Sequence, residues 1–327
     1  MNSMQRFGGA AATPGILLCA TVVMGASAQT YPDRPVRLIV PTAPGASVDF
    51  IARLTGHHLT KALGQQVVVD NRAGANQLIG TQIVARSAPD GYTILTTSTP
   101  FVTQPLLMTP PPYSPVKDFV PITLAAESPN ILTVTQSLPV KSVSDLISYA
   151  RARPGQLNYA TGSAGASPHL AAELFKVMAK VDMVRIGYKG AGPAIIDLIA
   201  ERCQLMFATA VSVLPHIRSG KLRALAVTTI RPSSLVPDLP TIAASGLPRY
   251  ESSVSLGFVL PAGTASAIAA RLNKEIVKII QDADVKRAML AEGVDAVAST
   301  PAEFAAFIKA ETETWGALFK QINLRVD

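Results

Sequence analysis

VRLIVPTAPGASVDFIARL, residues 36–54, reads as a buried strand, a glycine turn and the start of a helix. Val36 to Val40 is apolar but for Arg37, the pattern of a strand covered on both faces. It stops at Pro41-Thr42-Ala43-Pro44-Gly45, and a helix begins near Ser47 with Ile51, Leu54, Leu59 and Leu63 turned inward. Gln66 to Val69 is a second strand and Gln77 to Ser87 a second helix. Pro89-Asp90-Gly91 is a turn, because Pro fixes φ and Gly tolerates a positive one. Tyr92 to Thr97 is a third strand, and the βαβαβ order calls for a parallel sheet with helices on both faces.

Downstream, Pro105 to Pro121 is proline-rich and loose, and Ile131 to Val134 is a strand. Ser142 with Asp145 caps a helix running to Arg153, closed by Pro154-Gly155. Asn158 to Thr161, Met183 to Gly187, Leu205 to Ala208 and Leu225 to Thr228 are strands, with helices over His169 to Lys180 and Pro193 to Ala200. This second alternation predicts a second domain with its own sheet. Arg231 to Pro248 is a long loop, and Ser255 to Leu260 a strand. Helices follow over Ala265–Asp282 and Asp284–Glu292. A last one is opened by Thr300-Pro301 with Glu303 and buries Phe304, Phe307, Ile308, Trp315 and Phe319. These late helices are expected back on the first domain, so the chain crosses twice and forms a hinged cleft.

The first residues read as a secretory signal: Arg6, an apolar run from Ala10 to Met24, then Ala26-Ser27-Ala28 with cleavage after Ala28. Leu18 before Cys19 does not suit a lipoprotein signal. The expected product has about 300 residues, ample for two domains, and holds Cys203 alone, so its core rather than a disulfide must carry stability. The formal charge of +7 is spread thinly, with 16% charged residues and no basic block interleaved with aromatics. Nucleic acid is not an expected partner; an anion is favoured by long-range attraction.

Two small-residue turns, Pro44-Gly45-Ala46-Ser47 and Gly162 to Ser167, each follow a strand and precede a helix. Free N–H groups at the helix starts, with the hydroxyls of Ser47, Thr161, Ser163 and Ser167, suit an anion. Enzyme and nucleotide signatures are absent: no Gly-x-Ser-x-Gly, His-Glu-x-x-His, Gly-x-Gly-x-x-Gly or P-loop. Cys203 reads as core, His57 and His58 diverge on their helix, His169 reads as a local hydrogen-bonding group, and Asp49, in the first turn of its helix, as a dipole partner and cap. Lys189 reads as a solvated lysine near the cleft. No cofactor and no metal site is expected.

The motifs Tyr31-Pro32-Asp33-Arg34-Pro35, Leu63-Gly64-Gln65-Gln66-Val67-Val68-Val69-Asp70-Asn71-Arg72, Ala88-Pro89-Asp90-Gly91-Tyr92-Thr93, Tyr188-Lys189-Gly190 and Gly220-Lys221-Leu222-Arg223-Ala224-Leu225 carry a resemblance to a known family. Pro237-Asp238-Leu239-Pro240-Thr241, Pro261-Ala262-Gly263-Thr264 and Thr300-Pro301-Ala302-Glu303-Phe304 extend it. The sequence resembles the Bug family, extracytoplasmic substrate-binding proteins of tripartite tricarboxylate transporters. The resemblance implies an α/β, two-lobed periplasmic-binding-protein fold of the Venus-flytrap type, each lobe a mostly parallel sheet flanked by helices, with two hinge crossings. The expected bounds are a signal over 1–28, lobe one over 29–129 plus 253–327, and lobe two over 130–252.

The same resemblance implies a non-enzymatic protein that hands a small organic carboxylate to membrane permease subunits; the export signal places it in the periplasm, and a monomer is expected. A binding protein that signals to a membrane sensor kinase and a periplasmic hydrolase stand as alternatives. Implied ligand-binding residues are Ala43, Pro44, Gly45, Ala46 and Ser47 in lobe one and Thr161, Gly162, Ser163, Ala164, Gly165, Ala166 and Ser167 in lobe two. Ser98 and Thr99, and Ala208 with Thr209, are further candidates. This sequence departs from the family pattern at Ala46, Ala208, Ser255 and Ala265, where a glycine, an acid, a tryptophan and a proline are usual. The lost acid and indole predict a bulky dianion without an amine, such as an aromatic dicarboxylate.

Overall fold

Val36–Val40 (β1) pairs in parallel with Val67–Asn71 (β2) on one side and Thr93–Thr97 (β3) on the other. The connections are the helices Ser47–Leu63 (α1) and Leu78–Ala85 (α2). This is the βαβαβ unit that the alternation of apolar runs and turns dictates. The structure is a computed structural model that describes residues 31–162, 166–188 and 190–322, together with Met1 and Gly8. The expected signal segment and its cleavage point lie outside the described residues.

After β3 the sequence reading and the structure part. Thr99–Leu106 is a helix (α3) with Pro100 in its first turn, where no helix hydrogen bond is lost, and Pro105 near its end, whose missing N–H leaves the Phe101 carbonyl to accept from Tyr113 Oη at 2.9 Å. Phe119–Thr135 is a single strand (β4), far longer than the Ile131–Val134 expected. Pro121 and Pro129 hide it. Pro121 sits at a register shift against Ser253–Pro261 (β9), where ladder donors are not required. Pro129 is the last residue paired with β9; from Asn130 onward β4 pairs with Leu205–Thr209 (β7) and Leu222–Val227 (β8).

The second parallel unit is Asn158–Thr161 (β5), flanked by Val184–Gly187 (β6) and β7. Its helices are Val143–Arg151 (α4), Ser167–Ala179 (α5), Ala191–Ile199 (α6) and Ala210–Arg218 (α7). The sequence reading missed α7, whose Pro215 interrupts the pattern. Antiparallel β9 joins β3 to β4, so the hydrogen-bonded path runs β2-β1-β3-β9-β4-β7-β5-β6. The two alternations are thus linked into one mixed sheet through β4, where the sequence suggested two separate sheets.

Ser266–Gln281 (α8) packs on α1 and β4, with Ala283–Ala291 (α9) beside it. After the two-residue strand Asp295–Ala296 (β10), Pro301–Gln321 (α10) packs on β4 and α3. One apolar cluster, including Leu38, Ile51, Leu59 and Leu272, fills the space under α1 and α8. A second runs from Phe101 and Trp315 through Leu132 to Tyr159 and Phe175, and so passes continuously from one half of the sheet to the other. Cys203 is buried in a third, with Ile131 and Met206. No helix among the described residues is long and apolar enough to cross a membrane.

Candidate functional site

Open α/β sheets bind ligands in crevices beyond the carboxyl ends of their strands, because loops there are free to vary while helix N-termini point inward. The structure has a cavity of about 570 Å³ at such a place. Four strand-to-helix junctions reach it: β1 to α1, β2 to α2, β3 to α3 and β5 to α5. The N-cap residues of these helices, Ala46, Gln77, Ser98 and Ala166, all line it, and none makes a side-chain cap. By contrast Ser142, Asp282 and Thr300 cap α4, α9 and α10 with their side chains, and none of them lines the cavity. Helices α6, α7 and α8 are uncapped elsewhere, so the missing cap acquires meaning only with the cavity.

The first loop is held by a carboxylate that does not line the cavity. Gly45, at φ +90°, adopts a conformation that favours glycine, and its N–H donates to Asp49 Oδ2 at 3.0 Å. Arg53 Nε and Asn71 Nδ2 also donate to Asp49, and Asn71 Nδ2 reaches Thr42 O. Burial raises the pKa of Asp49, but donation from Arg53, Gly45 and Asn71 outweighs it and holds the carboxyl below its ordinary value. The Gly45 N–H is therefore committed to Asp49. The donors left for a ligand are those at the start of α1.

Of the residues singled out from sequence, Ala46, Ser47, Ser98, Thr99, Ala166 and Ser167 meet at this cavity. Ala43, Pro44 and Gly45 stand exposed on the loop beside it. Thr161 is fully buried at the end of β5, its Oγ1 without a partner, and Gly162 lies against the backbone of Gly190. Ser163, Ala164, Gly165 and Lys189 lie outside the described residues. Ala208 is buried in the apolar cluster with Ile131 and Met206, and the Thr209 hydroxyl is shared with Ser212; neither lines the cavity. Val254 does, whereas Ser255, its neighbour on the strand, does not. The side chain at position 255 therefore leaves the cavity volume alone. His169 is buried beside Glu173 behind the second loop; burial, with Arg185, pushes its pKa down to about 4, so the ring is neutral at pH 7.

The sequence reading missed Asn76, Gln77 and Gln104. Ala75, Asn76 and Gln77 have φ of 46°, 48° and 76°, a run of left-handed residues that is costly without glycine and that marks functional turns. Asn76 Nδ2 donates to Gln104 Oε1 at 2.7 Å, and Ser98 Oγ donates to Gln77 Oε1 at 2.9 Å. The signal available was position: the loop after the second strand stands at the same sheet edge as the first. The cavity wall is otherwise apolar, with Val48, Pro100, Leu107, Pro168 and Val254, and none of the described residues that line it is charged.

A second cavity, of about 560 Å³, has the opposite character. Glu127, Arg231, Glu251, Asp295 and Glu303 line it, where β4 leaves β9. Burial, with Glu251 adding repulsion, pushes Glu127 up to about 7. Behind it Glu311, accepting from Trp315 Nε1 at 2.7 Å, is pushed by burial up to about 8. No group of histidine, cysteine and acidic side chains suited to a metal occurs among the described residues.

Residues 51–324 match the family described as tripartite tricarboxylate transporter family receptor. The protein BugT of Bordetella pertussis is 37% identical over 309 residues, 94% of this chain and 95% of its own. The structure of R. palustris Rpa4515 with adipate is 35% identical, with a TM-score of 0.69, covering 89% of this chain and 97% of that one. A ligand-free TctC solute-binding protein from Polaromonas is 25% identical with a TM-score of 0.83, covering 89% of this chain and all of that one.

Proposed function

Because the chain belongs to the family of tripartite tricarboxylate transporter receptors, we propose that it captures a small organic carboxylate in the uncharged cavity and delivers it to membrane permease subunits. The family consists of periplasmic solute-binding proteins rather than enzymes. The observation that carries the reading is the convergence of four helix N-termini without side-chain caps on a cavity whose described lining residues are all uncharged. Each helix dipole contributes about 0.3–1 kcal/mol toward an anion, and micromolar capture needs about 8 kcal/mol. Charge-assisted hydrogen bonds from the free N–H groups and from Ser47 and Ser167 supply most of the difference.

Residues 29–129 with 253–327 form one lobe and 130–252 the other, and β4 with the segment entering β9 forms the hinge. The higher TM-score to the ligand-free relative, despite lower identity, supports a pair of lobes that close on their ligand. The ligand is a dianion without an amine, because no carboxylate among the described residues lines the cavity to receive an ammonium. The apolar wall gives room for an aromatic dicarboxylate. Export follows cleavage after Ala28. Native mass spectrometry of the purified protein with a panel of carboxylates tests the reading: one dicarboxylate binds and is recovered unchanged. Preference for an amino acid contradicts the ligand class, and a converted product contradicts the function.

A further inference from the structure

Asn130 stands at the first β4 residue beyond its pairing with β9, fully buried. Its backbone is pinned on both sides by Thr228: the Asn130 N–H donates to Thr228 Oγ1 at 2.9 Å, and the Thr228 hydroxyl and N–H both donate to the Asn130 carbonyl. Its side chain points to the start of α5, where Nδ2 donates to Ser167 Oγ at 2.8 Å. The other amide atom, Oδ1, is buried with no partner. Ser167 lines the cavity, and its hydroxyl has no acceptor among the described residues.

A serine hydroxyl has one proton and two lone pairs. When a neighbour donates to its oxygen, the proton must turn elsewhere, and here elsewhere is the cavity. We propose that Asn130 is a positioning residue that fixes the polarity of Ser167, turning its hydroxyl into a donor aimed at the ligand. Across the cavity the same logic runs in reverse. Gln77 Oε1 takes up the proton of Ser98, which leaves the Gln77 NH₂ to donate. Both sides of the cavity therefore present donors, the pattern that an acceptor-only carboxylate fits and that an amide or alcohol does not. Asn130 thereby selects for anions without contributing charge. The same residue joins the grip at α5 to the strand that passes between the halves of the sheet.

This role rests on carboxylate capture in the uncharged cavity, and the experiment separates the two. Calorimetric titration uses adipate and its neutral diamide, adipamide, as probes. The Asn130→Asp variant makes Ser167 donate inward to the new carboxylate, so adipate affinity falls on the order of 100-fold while the preference over adipamide shrinks. Asn130→Ala frees the hydroxyl to rotate and weakens adipate about fivefold to tenfold. On a Ser167→Ala background, Asn130→Ala has no further effect, because its only route to the ligand is gone. Multiplying losses in that double variant, or equal weakening of both probes in every variant, overturns the positioning role. If Asn130→Asp fails to fold, the alanine cycle alone decides. A wild-type protein that binds no member of the carboxylate panel overturns the capture reading itself, whereas wild-type binding of a panel dicarboxylate that Asn130→Ala leaves unchanged overturns only the role of Asn130.

Discussion

Two cavities of nearly equal volume, about 570 and about 560 Å³, differ in how they handle charge. Among the described residues the first has neutral donors and no ionisable side chain. The second has four carboxylates and one guanidinium, crowded enough that burial lifts Glu127 to about 7. An anion entering the first gains hydrogen bonds from donors already held in place. In the second it meets repulsion, and the carboxylates there meet each other. On the proposed reading, attraction for an anion in this fold comes from oriented backbone and hydroxyl groups, and the net positive charge is at most a steering influence.

The largest test puts a charge where the first cavity has none. Ala46→Asp would cap α1 and place a carboxylate at its N-terminus. Two like charges about 4 Å apart at an effective dielectric near 20 cost about 4 kcal/mol, so adipate affinity measured by calorimetry is expected to fall more than 100-fold. The same variant is expected to gain about 1 kcal/mol in stability from the new cap. Equal affinity would break the contrast between the cavities.

The second cavity is tested by pH. Glu311 has a folded pKa of about 8 and Glu127 of about 7, both raised above the ordinary 4.5. The folded state therefore holds protons that the unfolded chain releases, and stability falls as pH rises from about 4.5 through 8, by at most about 1.4 kcal/mol per pH unit for each group. Asp49, held below its ordinary value, acts in the opposite sense and costs stability as pH falls below about 4. Thermal melting is expected to show Tm several degrees higher at pH 5 than at pH 8, with Glu311→Gln flattening the slope. An unchanged slope in Glu311→Gln would assign the pH dependence elsewhere.

Smaller effects sharpen the comparison. Thr300→Ala removes a reciprocal cap from α10, where Thr300 Oγ1 accepts from the Glu303 N–H and Glu303 returns to the Thr300 N–H. It is expected to cost about 1 kcal/mol in urea unfolding and to leave adipate affinity within about twofold. The capped helices α4, α9 and α10 are thus expected to lose stability without their caps, while on the proposed reading those at the cavity keep open ends for the ligand. Smallest of all, Glu127→Gln at pH 7 is expected to leave adipate affinity unchanged in the same titration. A marked change would show that the acidic cavity communicates with the ligand.

The parallel units were legible because each strand is a short apolar run bounded by turn chemistry, as at Val36–Val40 and Asn158–Thr161. What escaped was hidden by proline. Pro121 and Pro129 break the strand pattern of β4, and only the register shift and the exchange of partners in three dimensions explain why they are tolerated. The helices α3 and α7 were lost for the same kind of reason, through Pro105 and Pro215. At the site, glycine and serine turns pointed to Ser47 and Ser167, whereas Asn76, Gln77 and Gln104 look like ordinary turn and helix residues until the fold gathers them. The committed donor of Gly45 could not be read either, since its partner Asp49 acts through a side-chain rotamer.

The most direct measurement is a crystal structure of the wild-type protein grown with adipate. The account expects one carboxylate to accept hydrogen bonds from the N-termini of α1 and α5 and from the Ser167 hydroxyl, with the chain between them against Pro100, Leu107 and Val254. A carboxylate seated away from both helix starts, or gripped by a lysine or arginine side chain, would contradict it.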